Sequence, residues 1–456
     1  MRSITDRGLL IALLALGALL KLSWLGVNEL SGDEPFTVFW ATRPFQEFSV
    51  MLRTENNPPF YFLLMKAWIN VVPLEEAWLR IPSAVFSVLT AWPLFLLARS
   101  LGGRSMAVIT CLLFTLSNHQ FAFAHEVRGY SLLLLFTTLA AWLVVRGPHG
   151  APGRSTTMLA AVFAAMVWTH FFGWLVIALI GACVLALPEL RDHRRQVLWA
   201  AVIAGVAFLP YGFIFFRRAG ESIAQGTWVK PHGAEEIWHM VRRWSNQPVV
   251  TVLVIAPLVV VAARERLGSF ALRFALLWWL LPLLGLWLLQ WWVAAYVDRY
   301  LLFASIGFYL ATGYGLAKLL DSGWAHRAAP AFGIAAMALT FTPWKDNGQH
   351  PSEVAAQVRT WQGPARSSPV LVRPFWYKTT LWAHLDRSRG GPAPWRDAWS
   401  ERYDDATNPT PPERAEQLIL VHMADDQNGP DPLVDGFRKE EERTVDGTVR
   451  VARYLR

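Results

Sequence analysis

The chain has 456 residues, of which 54% are apolar and only 17% charged, with 24 Trp and 27 Phe. Soluble domains carry about 25% charged residues, so this composition excludes an ordinary soluble protein and points to a membrane one. The net charge of +8 does not call for nucleic acid, because the basic residues fall mostly in short loops between apolar runs, where they set topology. Cys111 and Cys183 both lie inside apolar segments, which excludes a disulfide framework.

The first run, "GLLIALLALGALLKLSWLGV" from Gly8, is longer than the core of a signal peptide and lacks a small-residue cleavage site, so it reads as a retained anchor. "SGDEPF" follows at 31–36 and sets Asp33 and Glu34 beside a membrane surface. The loop they open, residues 28–80, is too long for a connector and should carry its own structure. Its segment "FTVFWATRPFQEFSVML" mixes aromatics with Arg43 and Glu47, as one helix lying in the interface would. "NPPFYFLLMKAWINVV" opens on Pro58 and Pro59, which suit a helix start, and its apolar run is too short to cross a bilayer.

Runs long enough to span, about 17 to 25 residues, fall at roughly 8–27, 81–99, 105–121, 129–146, 156–170, 171–187, 197–216, 248–263, 273–293, 299–317 and 326–342, about eleven in all. The fifth and sixth are joined only by the tight "THFFGW" hairpin. Arg99 with Arg104, Arg146 with Arg154, Arg191 with Arg194 and Arg195, and Arg264 with Arg266 occupy alternate loops, which are therefore cytoplasmic. The N-terminus is then cytoplasmic, and the first loop, residues 217–247 and everything after about 343 lie outside. From 344 to 456 Pro, Gly and charge rise. Strand-like runs appear in "SSPVLVRP", "EQLILVHM" and "VRVARYL", "FWYKTTLWAHL" reads as a helix, and a Pro- and Gly-rich linker lies at 387–414. The expected architecture is an all-α polytopic membrane domain, 1–343, with interfacial helices in its first external loop and a small soluble α/β module, 344–456. No repeat period is visible.

Polar residues gather where spans begin on the outer face: "RTENNPPFYF", "AHEVRGYSLLL" and "YVDRYLLF" bring Glu55, Asn57, His125, Glu126, Arg128, Tyr130, Asp298, Arg299 and Tyr300. A charge at the bilayer centre costs about 2.5–3.5 kcal/mol but much less at the interface, so each arginine alone reads equally well as an anchor. Together, carboxylates and arginines from separate segments on one face suit transfer of a sugar from a polyprenyl phosphate. The lipid tail needs an apolar groove, and phosphate and sugar stay at the interface. One carboxylate serves as base toward the acceptor hydroxyl, no acid is needed for a phosphate leaving group, and arginine's planar fork suits phosphate.

The order "GDEPF", "NNPPFYFLLMKAW", "LRIPSAVFSVLTAWPLFLLARSLGGR", "FAHEVRGYSLLLLF", "WTHFFGWLVIAL" and "DRYLLFASIGFYLA" resembles the bacterial members of glycosyltransferase family 39, membrane enzymes of the GT-C fold related to protein O-mannosyltransferases and the aminoarabinose transferase of lipid A. The resemblance is dense over 28–146, loose to 318 and generic beyond. It implies a polyprenyl-phosphate-linked sugar donor, an inverting single displacement onto a lipid, glycan or protein hydroxyl, and a bacterial inner-membrane location with the site extracytoplasmic. It further implies Asp33 as base and Glu34 as the second member of the family's acidic pair. Arg128, Arg299 and Tyr130 are expected on the donor phosphate, with Glu34, Glu55, Asn57, Glu126 and His125 in supporting or acceptor-binding places. Asn57 stands where relatives often have His before the Pro-Pro pair, and Asn118-His119 where they commonly have Ser-Pro.

No His/Cys/Asp cluster has metal-ligand spacing, so no cofactor is expected with certainty; a divalent cation held by Glu55 and Asp33 stays open. His170, alone between two spans, reads as a hydrogen-bonded structural residue. Trp228, in "QGTWVKPHGAEEIW", is a candidate sugar platform. The alternative class is a lipid or oligosaccharide transporter or flippase, which should carry midplane charges or internal repeats; "TVLVIAPLVVVAA" and "FALLWWLLPLLGLWLL" have neither. A non-catalytic scaffold would leave the carboxylates and arginines unexplained.

Overall fold

The computed structural model describes residues 5–55, 57–147, 152–225, 231–292, 296–321, 328–363, 368–373, 376–389, 415–423, 436–447 and 449–456. Trp228 and most of the 387–414 linker lie outside them. The chain divides into two compact units, one of Met1–Trp24, Leu52–Tyr61 and Arg80–Pro343, the other of Leu25–Met51, Phe62–Leu79 and Trp344–Arg456. The second unit therefore joins the tail with two pieces of the first loop.

The first unit is helical. Among the described residues, Glu76–Thr115, Pro188–Ile214, Pro248–Glu265, Phe270–Leu289 and Asp298–Asp321 are long and apolar enough to cross a membrane, and Tyr130–Arg146, Gly173–Ala186 and Ala328–Leu339 are shorter apolar helices. The runs expected at 81–99 and 105–121 are the two arms of Glu76–Thr115, which breaks at Gly102 and Gly103 (φ −143° and +83°). Ser305–Asp321 forms the centre, with fourteen of its seventeen residues buried. Arg194–Gln225 instead leaves Leu198, Val202, Val206, Leu209 and Phe213 exposed. Their three- and four-residue spacing makes one apolar stripe along the helix, as a lipid-facing surface requires.

In the second unit the single interfacial helix expected over 36–52 is two, Glu34–Thr42 and Phe45–Thr54. Pro44 explains the break: it drives the preceding Arg43 out of the helical region, to φ −73° and ψ 154°. Phe60–Ile69 is a helix of 10 residues, as its short apolar run suggested. The tail contributes the helices Pro351–Gln362 and Tyr377–Leu385 and the strands β1 (Val370–Arg373), β2 (Gln417–Met423), β3 (Arg438–Asp446) and β4 (Val449–Leu455), in a sheet of order β1-β2-β4-β3. β1 runs parallel to β2 and the other pairs are antiparallel. The aromatic edge of Glu34–Thr42 packs on Tyr377–Leu385 through Phe39 and Trp382, whose ring centroids are 5.1 Å apart at 84°. Arg43 lies over both rings, at 4.4 and 5.7 Å.

Candidate active site

In the first unit, two turns meet. The chain leaves Asn118–Ala124 through "HEVRG", where the Arg128 N–H reaches back to the Glu126 carbonyl at 2.7 Å, and enters Tyr130–Arg146. The other turn, His170–Phe172, connects Pro152–Thr169 to Gly173–Ala186 and is closed by the Gly173 N–H on the His170 carbonyl at 2.8 Å. Glycine is required at 173, and at 129 there is little room for more. A Cβ at 173 would stand 2.7–2.8 Å from the backbone of Met166 and Val167, and one at 129 would press on Thr169 and Tyr61 at 3.3 Å. The close approach brings the Tyr130 and His170 rings to 5.4 Å between centroids.

These rings, with Arg299, Tyr300, Phe172, Phe303 and three leucines, line a small cavity. Arg299 comes from the 3₁₀ turn Asp298–Ala304, whose first carboxylate accepts the Arg299 N–H at 2.7 Å. Phe172 and Tyr300 stack at 4.5 Å and 28° to form one wall. Arg128 is buried, and its charge, like that of Arg299, acts on the His170 ring. The cavity thus sets one cationic side chain, Arg299, among aromatic and apolar walls.

Of the residues expected at the site, Tyr130 and Arg299 share this cavity, and Arg128 adds its field. Glu126 is half-buried in the turn that precedes Tyr130. His125 does not serve the cavity: its Nε2 is bonded to the Lys21 carbonyl at 2.7 Å. Burial lowers its pKa from 6.5 to about 4, the bond to Lys21 opposing and the charges of Arg80 and Lys21 adding to the effect. Glu55 Oε1 accepts the Asn57 backbone N–H at 3.3 Å and its side-chain amide at 2.8 Å. The Tyr211 hydroxyl lies 3.3 Å from the carbonyls of Leu52, Glu55 and Asn57, so the two residues form a pinned loop. Among the described residues no three His, Cys, Asp or Glu side chains converge on a point.

Asp33 and Glu34 belong to the second unit. Gly32, at φ +58°, turns the chain into the helix, and Asp33 takes the N-cap position without capping through its side chain. Glu34 is buried, with Oε2 3.5 Å from the Ser31 N–H and its own N–H on the Ser31 carbonyl at 3.2 Å. Asp33 is only half-buried. The two neighbours have different surroundings, which fits different roles.

His170 is hydrogen-bonded, as expected of a structural histidine, through Nδ1; among the described residues its Nε2 has no partner. Its signal was its place in "THFFGW", a polar residue at the shortest connection between two apolar runs.

Residues 56–214 match the family described as dolichyl-phosphate-mannose-protein mannosyltransferase. No curated protein matches the chain by sequence. Among solved structures, ArnT from Cupriavidus metallidurans bound to undecaprenyl phosphate is similar at 14% identity and TM-score 0.62, over 98% of each chain. The Archaeoglobus fulgidus oligosaccharyltransferase tethered to an acceptor peptide is similar at 13% identity and TM-score 0.57, over 84% of this chain and 63% of that one. AglB from the same organism, in complex with an inhibitory peptide and a dolichol-phosphate, is similar at 11% identity and TM-score 0.56, over 92% and 69%. The chain thus carries this family match over 56–214, has the fold of these solved structures along nearly its whole length, and with its long apolar helices is a multi-pass membrane protein.

Proposed function

We propose that the chain is a membrane glycosyltransferase that moves a sugar from a polyprenyl phosphate to an acceptor hydroxyl on a lipid, glycan or protein. The observation that carries this reading is the meeting of Tyr130 and Arg299, in the field of Arg128, at a cavity whose other walls are His170, Tyr300 and apolar side chains. The undecaprenyl phosphate held by ArnT and the dolichol-phosphate held by AglB support a lipid-linked phosphate as the donor.

In the reaction, the acceptor oxygen attacks the anomeric carbon as the bond from that carbon to the phosphate oxygen breaks. The electron pair leaves with the phosphate, and the acceptor proton goes to Asp33. The configuration inverts in this single displacement. Arg299 and Arg128 stabilise the charge that grows on the leaving phosphate, and Tyr130 orients it. Glu34 holds the turn that presents Asp33, and Glu126, Glu55 and Asn57 shape the acceptor side.

The chain then sits in a bacterial inner membrane with about eleven spans, its N-terminus cytoplasmic, and both Asp33 and the tail outside. The test is purified protein in lipid nanodiscs supplied with polyprenyl phosphates bearing different sugars, read as release of free polyprenyl phosphate. Release with at least one donor, dependent on an acceptor, is expected; donor that stays intact with every sugar while the protein is folded overturns the reading.

A further inference from the structure

His170 is buried, 4% exposed, and its two ring nitrogens have opposite circumstances. The Phe172 backbone N–H donates to Nδ1 at 3.2 Å. A nitrogen that accepts carries no hydrogen, so in the neutral ring the proton must sit on Nε2. Nε2 has no hydrogen-bond partner among the described residues, although His170 lines the cavity with Tyr130 and Arg299. A buried donor left unmade is costly, and such groups call for a ligand atom.

The backbone enforces this arrangement. The Phe172 N–H is fixed by the turn that Gly173 closes, and the ring is held in plane by stacking on Phe171 at 4.6 Å and 27°. The ring therefore cannot exchange its nitrogens without breaking the Phe172 bond. The result is a donor of fixed direction on the cavity that Arg299 also lines.

We propose that His170 Nε2–H is a hydrogen-bond donor to the phosphate of the lipid-linked substrate, completing with Arg299 and Tyr130 a cradle for a phosphate monoester or diester. This rests on the cavity being the donor site, as read above. The arginines supply charge, and His170 supplies direction. A hydrogen bond to a charged oxygen strengthens as the leaving phosphate gains charge, so the contact favours departure as well as binding.

Two substitutions separate the nitrogens. His170→Asn can keep the acceptor for the Phe172 N–H and removes the donor at the Nε2 position. His170→Gln can place an amide N–H near the Nε2 position and loses the Nδ1 geometry. The probe is a short-chain polyprenyl phosphate, with the polyprenol lacking phosphate and inorganic phosphate as separate arms, each titrated against folded protein in nanodiscs. His170→Asn should weaken polyprenyl phosphate binding about tenfold to a hundredfold. It should leave polyprenol binding unchanged, and His170→Gln should recover most of the loss. Inorganic phosphate that competes only at far higher concentration identifies a lipid headgroup; equal competition identifies a free-phosphate site and overturns the lipid assignment.

A wild-type protein that binds polyprenyl phosphate no better than polyprenol removes the donor-site reading itself. Wild-type preference retained in full by a folded His170→Asn removes the role of His170 alone. A measurement without any variant stands beside these. In wild-type protein labelled with ¹⁵N in histidine, polyprenyl phosphate should shift one Nε2–H resonance that polyprenol leaves in place; if none shifts, the inference falls.

Discussion

Ser352 donates its backbone N–H and its hydroxyl to the two oxygens of Glu29, at 2.8 and 2.5 Å, four residues ahead of Asp33. Ser352 lies in the first turn of Pro351–Gln362, so a carboxylate from the first loop caps a helix of the tail, where the helix dipole also favours it. The same strand of loop is gripped twice more: the His384 Nε2–H reaches the Leu30 carbonyl at 2.9 Å, and the Asn347 N–H reaches Asn28 Oδ1 at 3.0 Å. Glu29→Ala should destabilise this unit by about 1–2 kcal/mol. It should also lower kcat more than donor affinity, since it loosens the approach to Asp33, and Glu29→Gln should be milder. Chemical denaturation with parallel kinetics checks this; a stability loss with kcat intact would detach the tail from the site.

Asp33→Asn preserves shape and the N-cap position, so donor binding should persist while turnover falls about 10²- to 10⁴-fold. Glu34→Gln should act chiefly on folding, because the carboxylate is buried against Ser31. Turnover at saturating donor, with thermal melting of both variants, separates the two. A well-folded Asp33→Asn enzyme at the wild-type rate would move the base to Glu126 or Glu55.

Arg299→Lys and Arg128→Lys keep the charge and remove the planar fork. Donor affinity should fall in both, more for Arg299, which lines the cavity, than for Arg128, which acts through its field. Isothermal titration with polyprenyl phosphate reads the order; equal affinity to wild type in both variants would make them anchors.

His125 links pH to stability. Its pKa falls from 6.5 to about 4 on folding, so the unfolded chain binds the proton more readily between these values. The contribution is complete above pH 6.5 and is lost as pH falls through the window toward 4. Wild type should therefore lose on the order of 1–3 kcal/mol across that window relative to His125→Gln. Melting curves of both proteins at pH 7.5 and 4.5 test it, and parallel losses would refute it.

A reporter active only in the cytoplasm should be silent when fused after Arg456 and active when fused ahead of the first span. A bright fusion at the C-terminus would invert the orientation and with it the face on which Asp33 works.

Much of this organisation was legible in the sequence, for a physical reason in each case. The helices of the first unit follow the apolar runs because a bilayer imposes length and hydrophobicity together. The "THFFGW" hairpin was legible from brevity alone. β3 was not: "RKEEERTVD" has almost no apolar alternation, and its register against β4 is held partly by charge, with Arg453 3.2 Å from Glu440 and 3.5 Å from Glu441. Pro44 was visible, yet the aromatic pattern around it masked the break it causes. That Tyr130 and Arg299 share a cavity could be anticipated only as far as each begins an apolar run with a polar group. Which nitrogen of His170 the Phe172 N–H occupies is a fact of three dimensions, and no one-dimensional pattern carries it.

The second unit is assembled from Leu25–Met51, Phe62–Leu79 and Trp344–Arg456, pieces separated by about 265 residues of chain. Translation runs from one end, so the early pieces leave the ribosome roughly 15–50 s before the last one at 5–20 residues per second. During that interval Glu29 lacks Ser352, Phe39 lacks Trp382, and the backbone leading to Asp33 has none of its later tethers. Maturation of the acid therefore waits on the final quarter of the open reading frame. A ribosome that stops early leaves a chain that can be inserted and yet never gains the tethers on the loop that carries Asp33.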